Sequence, residues 1–173
     1  MKNQIFLLRF LLTVILTLSV SINVITGQGK VRITTGFGVP EFINAGMKVR
    51  LGQSEAGFCA GFFPSGEESF LFDWERVFSA GGDYYIHFAG KSTYTDLRPF
   101  YLRAGVSYVY IKWDATDIDN LFSTQLRIGR DFYFSSKLGI GIDAGVVWHL
   151  NDVDSTWGSR IGWGAGVNLF FRI

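Results

Sequence analysis

The chain has little cysteine, proline or histidine: Cys59, three prolines, and His87 and His149, in 173 residues. A lone cysteine excludes an intrachain disulfide and a cysteine-based zinc site, so a small secreted domain of this sequence needs another source of stability. An excess of one charge is missing too. There are 16 basic and 15 acidic residues, and the basic ones are dispersed, leaving no patch for nucleic acid. Neither a Gly-x-Ser-x-Gly elbow nor a His-Glu-x-x-His helix occurs, which removes two common signatures of hydrolases and zinc proteases. Past the N-terminal segment no helical repeat follows.

What is present is alternation. Leu138, Ile140, Ile142, Ala144, Val146, Trp148 and Leu150 hold the even positions of one run, against Gly139, Gly141, Asp143, Gly145, Val147 and His149. Ile161, Trp163, Ala165, Val167, Leu169, Phe171 and Ile173 do the same against Gly162, Gly164, Gly166, Asn168, Phe170 and Arg172. Side chains on a strand face opposite ways with period 2, so each run predicts a long strand with one apolar and one small or polar face. The 13 residues of each run are long for a soluble strand and close to what a tilted bilayer-crossing strand needs.

The pattern extends backwards. Further strands are expected over 31–38, 43–51, 55–62, 78–88, 100–110 and 122–129, giving eight, an even number that leaves both ends on one side. Connections near 39–41, 52–54 and 135–137 are tight; those at 64–75, 90–99, 114–120 and 151–159 are longer. With both ends periplasmic, 64–75, 114–120 and 151–159 fall outside. The length of 90–99, on the periplasmic side, has no explanation in the sequence.

Alternation alone leaves the barrel's polarity open between a lipocalin-like soluble form and a membrane form. Three features point to an apolar exterior. Glycine dominates the other face, as suits a crowded lumen. The charges on that face are mixed and could pair across it: Arg32, Lys48, Arg50, Glu55, Asp83, Arg103, Arg127, Asp143 and Arg172. Trp148 and Trp163 sit on the apolar face near strand ends, where an aromatic girdle belongs. The fold expected is therefore all-β: an eight-stranded antiparallel up-and-down transmembrane β-barrel. On it, Ala144→Arg should be costly and Gly145→Ser, on the inward face, milder unless the lumen is overpacked.

Residues 1–27 read as a signal peptide ahead of a barrel domain at 28–173. Lys2 and Arg9 precede the apolar run Phe10–Val20, and Gly27 suits cleavage before Gln28; cleavage after Ser21 and an uncleaved anchor are the alternatives. With no cysteine there, lipid attachment is not expected.

The segments Asp83-Tyr84-Tyr85-Ile86-His87-Phe88 and 91–105, together with Gly-Arg-Asp-Phe at 129–132 and the Gly-Ile-Gly-Ile-Asp-Ala-Gly-Val run at 139–146, resemble small outer-membrane β-barrel proteins of the Bacteroidetes, akin to the OmpX and OmpA barrels. Ile173 departs from the terminal aromatic usual in such proteins, with Phe171 two residues before it. The resemblance implies a cell outer membrane location and contact with outer-membrane lipids and lipopolysaccharide. It also implies insertion by the barrel-assembly machinery, and it carries no activity.

Chemistry is sparse. Asp83 and His87 share a face but stand roughly 13 Å apart along a strand. A dyad built from different strands, as in lipid-modifying barrel enzymes, competes with a plain hydrogen-bond network in the lumen. Asp114, Asp117, Asp119, Asn151, Asp152 and Asp154 could offer oxygen ligands to Ca²⁺, though acidic loop residues are usually just solvated. An eight-stranded barrel is filled by its own side chains, which argues against transport. The sequence thus points to a plugged barrel with a structural or surface-interaction role, no catalytic residues, no cofactor and no metal. A lipid-modifying enzyme and a soluble lipid carrier are the alternatives.

Overall fold

Strands form where β-branched and aromatic residues alternate with small or polar ones. The computed structural model describes residues 30–63, 76–112, 118–151 and 160–173. In chain order the strands are β1 (Val31–Val39), β2 (Phe42–Leu51), β3 (Ser54–Phe63), β4 (Arg76–Ala89), β5 (Phe100–Lys112), β6 (Ile118–Tyr133), β7 (Leu138–His149) and β8 (Ile161–Arg172). Each pairs antiparallel with the next, and β1 pairs β8 from Arg32–Arg172 to Val39–Ala165, closing an eight-stranded up-and-down barrel without a free edge. Residues 1–29, and with them the expected signal peptide, lie outside the described residues, as do Asp114, Asp117, Asp152 and Asp154.

The barrel has two unlike ends. One carries Lys30, Ile173 and the connections after β2, β4 and β6; we call it the terminal end. The other carries the connections after β1, β3, β5 and β7 and is the loop end.

Polarity is inverted relative to a soluble barrel. Phe58 and Val106 are 61 % and 58 % exposed, whereas Arg32, Glu55 and Arg127 are each 1 % exposed. The register explains how the interior fits. Tyr101 lies across from Gly129, and a Cβ at that glycine would come within 2.5 Å of the Tyr101 ring, so glycine there makes room for the phenol.

Two boundaries differ from the sequence reading. β6 starts at Ile118, so the expected loop at 114–120 is shorter, and it ends at Tyr133, which places Asp131 inside. Alternation over 118–121 is broken by Asp119-Asn120, which hid the start of the strand. The long connection 90–99 is also ordered. Gly90 opens it in the left-handed region (φ 85°), where glycine alone is unstrained, just after a bulge at His87–Ala89.

The mildness expected of Gly145→Ser does not hold. A Cβ at Gly145 would stand 2.6 Å from the Arg127 Cα and still closer to the Leu126 carbonyl, backbone that cannot swing aside. At Gly162 the nearest atom to an added Cβ is His149 Nε2 at 3.7 Å, ordinary contact. Ala144→Arg, on the outer face in mid-strand, should cost about 2 to 4 kcal/mol in a lipid-embedded barrel. Gly145→Ser should also destabilise, while Gly162→Ser stays near the unmodified value. Urea unfolding from lipid vesicles measures all three, and equal tolerance at Ala144 and Gly162 would contradict the assigned faces.

Candidate functional site

The inward side chains form three tiers. At the terminal end, Arg32 from β1 sits 2.8 Å from Glu55 and 2.5 Å from Asp131 and stacks on Phe170, 4.3 Å from its ring centroid. His87 approaches Glu55 at 3.2 Å through Nε2 and the Arg98 carbonyl at 2.6 Å through Nδ1. Tyr133 donates to Asp131 at 3.0 Å and accepts from Arg172 at 3.0 Å.

The middle tier turns on Arg103. Its guanidinium grips Asp83 with two hydrogen bonds, 2.9 Å from Nε and 2.8 Å from Nη2, the fork geometry that makes arginine–carboxylate pairs strong. The same Nη2 donates to Glu41 at 2.5 Å. Arg127 donates to Asp143 at 3.1 Å and to Glu41 at 3.0 Å, and Tyr101 donates to Asp143 at 3.2 Å. Gln125 bridges Glu41 and Asp83 at 3.0 and 2.9 Å. Lys48 lies over the Tyr85 ring, 3.7 Å from its centroid. Beside Glu41, Lys48, Asp83 and Arg103 is a void of about 20 Å³, room for about one water.

At the loop end the interior becomes apolar: Phe42, Val77, Val109, Ile111 and Leu121 pack together, with Phe63 against them. The β1–β2 connection folds inward here. Pro40, Glu41 and Phe42 are all buried, Glu41 reaching down to the arginines and Phe42 capping the apolar cluster from a left-handed backbone (φ 56°). A non-glycine residue held there costs about 1 to 3 kcal/mol unless its surroundings impose it, and the Glu41 ion pairs with the Phe42 packing do so.

The buried ionic groups balance among the described residues, His87 aside. Arg32, Lys48, Arg103, Arg127 and Arg172 supply five positive charges; Glu41, Glu55, Asp83, Asp131 and Asp143 supply five negative ones. Neutrality matters because an unpaired ion in a low-dielectric interior costs several kcal/mol.

The sequence reading held that the mixed inward charges could pair, and Arg103 with Asp83 and Arg127 with Asp143 are two pairs that form. Asp83 and His87 are not brought together: His87 turns to Glu55. Glu41 and Asp131 were missed. Carrying the alternation Gln125, Arg127, Gly129 one step further finds Asp131; nothing in the Pro40-Glu41 turn marks Glu41. Ser123 Oγ and His149 Nδ1 are 2.9 Å apart at the loop end, the contact a nucleophile makes with its base, but Ser123 is 1 % exposed. Of the acidic-loop residues, Asn151 accepts a hydrogen bond from the Phe122 amide at 2.9 Å and donates to the Asn120 carbonyl, which fastens β7 to β6.

The 90–99 connection packs against the terminal end. Leu97 at its centre is fully buried, and Asp96 anchors the turn through paired hydrogen bonds from Arg50 at 2.7 and 2.8 Å. Gln53 donates to the Asp96 carbonyl at 2.9 Å and accepts from the Arg98 amide at 3.2 Å. The length of this turn thus has a physical reason: it reaches Arg50 and Gln53 beside the β2–β3 turn and buries Leu97.

No protein-family model matches the chain, and no curated protein does. Solved structures do. The chain is similar to the N-terminal β-barrel domain of OprF from Pseudomonas aeruginosa, at 15% identity over 86% of this chain and 100% of that one, with a TM-score of 0.58. Neisserial surface protein A, of Neisseria, aligns at 8% identity over 83% and 92% of the two chains, with a TM-score of 0.49. The likeness to the OprF domain is one of fold.

Two outcomes test the site. Asp83→Asn alone should destabilise by about 3 to 5 kcal/mol, because it leaves a buried net positive charge. Asp83→Asn with Arg103→Met restores neutrality and should cost less, and a double-mutant cycle in vesicles measures the difference. The Arg50 hydrogen bonds hold Asp96 down at about 2, below its ordinary 3.8. The contribution of that anchor is therefore complete above about pH 4 and fades as pH falls through 2. Asp96 is 79 % exposed, so the effect is local, below about 1 kcal/mol. Faster amide exchange at Leu97 and Arg98 at pH 2, and in Asp96→Asn at neutral pH, should report it.

Proposed function

We propose that the chain is an outer-membrane β-barrel with a sealed lumen that serves a structural or surface-interaction role and performs no catalysis. The observation that carries this reading is the apolar belt. Every strand contributes exposed apolar side chains to it: Phe37 at 53 %, Met47 at 43 %, Phe58 at 61 %, Phe78 at 49 %, Val106 at 58 %, Ile128 at 58 %, Ile142 at 46 % and Val167 at 45 %. An apolar surface running all the way round is stable in hydrocarbon and a liability in water. Closure pairs β1 with β8 and leaves no open sheet edge along that ladder, which lipid requires. No helix among the described residues is long and apolar enough to cross a membrane.

In this placement the terminal end is periplasmic and the loop end external, with a signal peptide directing export and the barrel-assembly machinery inserting the chain. Lipids and lipopolysaccharide contact the belt. A soluble carrier fits poorly, because the middle of the lumen is ionic.

A lipid-modifying enzyme is the second reading, and the Ser123–His149 contact is what favours it. Against it, Ser123 is sealed from both solvent and bilayer. Ser123→Ala should leave the acylation pattern of extracted outer-membrane lipids unchanged, and a change would establish the enzyme.

The mature protein should fractionate with outer membranes and run differently on gels with and without boiling. Planar-bilayer recordings should show no steady conductance. Recovery from the soluble periplasm would overturn the membrane placement, and a large stable conductance would overturn the sealed lumen.

A further inference from the structure

The barrel wall is incomplete beside the start of β8. The β1–β8 ladder stops at Val39–Ala165, while β8 begins at Ile161. Beside β8 at that height β1 has already given way to Pro40 and Glu41, which turn inward. Under this notch lies a cavity of about 140 Å³.

The lining of that cavity is unusual for a barrel interior. Val109, Leu121 and Val147 belong to the inward face and are 1 to 5 % exposed. Ile161 and Trp163 belong to the outward face, 57 % and 86 % exposed, yet border the same space. A cavity bordered by residues of both faces lies at the edge of the wall, where β1 ends beside β8. Its surroundings are apolar except for His149, and its volume is close to that of engineered apolar cavities, about 150 Å³, that stay dry and take up a benzene-sized guest.

We propose that this notch is a lateral lipid site: the hydrocarbon chain of an outer-leaflet lipid enters between the β1–β2 turn and the start of β8 and lodges its end against Val109, Leu121 and Val147. Two observations select a chain over a water-borne ligand. The notch opens on the apolar belt beside Trp163, where hydrocarbon is the surrounding medium given the membrane placement proposed above, on which this assignment rests. The inner wall offers methyl groups, with no charged group to hold a headgroup, so the headgroup stays outside. The tier below is a closed ionic network, and the chain can go no deeper than the apolar tier.

Lipid-to-methyl nuclear Overhauser effects test this. The protein is deuterated except at Ile, Leu and Val methyls and placed in nanodiscs of ordinary phosphatidylethanolamine, then of the same lipid with deuterated chains. The expected result is chain-proton cross-peaks to Val109, Leu121 and Val147, lost with the deuterated chains. Gly162→Phe, whose new side chain starts 3.7 Å from His149 and grows into the cavity, should reduce those cross-peaks at least fivefold while those to Val167 persist. Gly162→Leu serves if the phenylalanine impairs folding, and the unmodified protein decides the matter without either.

Cross-peaks to outward methyls such as Ile33 and Val106 with none to the three inward residues would overturn the lipid site and leave the membrane placement standing. Silence at the outward methyls as well would overturn the membrane placement itself. Water cross-peaks at Val109 and Val147, or shifts there caused by benzene but not by lipid, would also overturn the site.

Discussion

The ionic network at the centre of the lumen is the constraint on which the other features depend. An eight-stranded barrel has room inside only for its own side chains. Any charge placed there loses its water and must find a partner within a few ångströms. Arg103 illustrates the demand: one guanidinium engages Asp83, Glu41 and Asp143, at 2.8, 2.5 and 3.5 Å. Satisfying it takes carboxylates from β4, from β7 and from the turn after β1, so the network ties together parts of the chain far apart in sequence. Glycines and small residues between the charges follow from the same crowding, as Gly129 beneath the Tyr101 ring shows. Removing any one charge disturbs a sum that is otherwise zero. For that reason the interior tolerates paired changes better than single ones.

Among the described residues two connections bury side chains at the barrel's ends, and they do it with different chemistry. The turn after β1 inserts Glu41 into the network and Phe42 above it, linking the ionic and apolar tiers through neighbouring residues. The connection after β4 lays Leu97 across the terminal mouth and is fastened from outside by Arg50–Asp96, with Gln53 holding its backbone. The first closure is embedded and its charge is needed for neutrality. The second is a solvent-exposed clasp worth little in global stability, and it yields first when acid weakens the clasp. The two inward-packed connections are therefore not equally firm.

Strand number, strand faces and the sign of the barrel's polarity were legible in the sequence because they depend on period 2, which is local. That Arg103 and Arg127 would find inward carboxylates was legible too, since in a narrow barrel inward charges have few other choices; which carboxylate each takes was not. What escaped had no periodic signal. Glu41 and Leu97 lie in connections, where the side-chain direction is set by tertiary closure and no alternation exists to read. Asp131 escaped because the strand was ended too soon at Gly129. Gly145 was misjudged because its tightness comes from the backbone of Leu126 on the neighbouring strand, a distance no single-strand pattern contains.

The notch beside β8 follows from the same inward turn that completes the network. Glu41 can reach Arg103 and Arg127 only if the chain leaves the wall at Pro40, and leaving the wall there ends the β1–β8 ladder at Val39. The space beneath is floored by the apolar tier because the carboxylate has been drawn away from it, down to the arginines. Filling the middle of the lumen with ions and opening the wall near the loop end are thus two consequences of one turn. A variant that straightened β1 past Val39 would close the notch, and it would also withdraw Glu41 and leave Arg103 and Arg127 short of a partner. The opening is retained as long as the charge balance is.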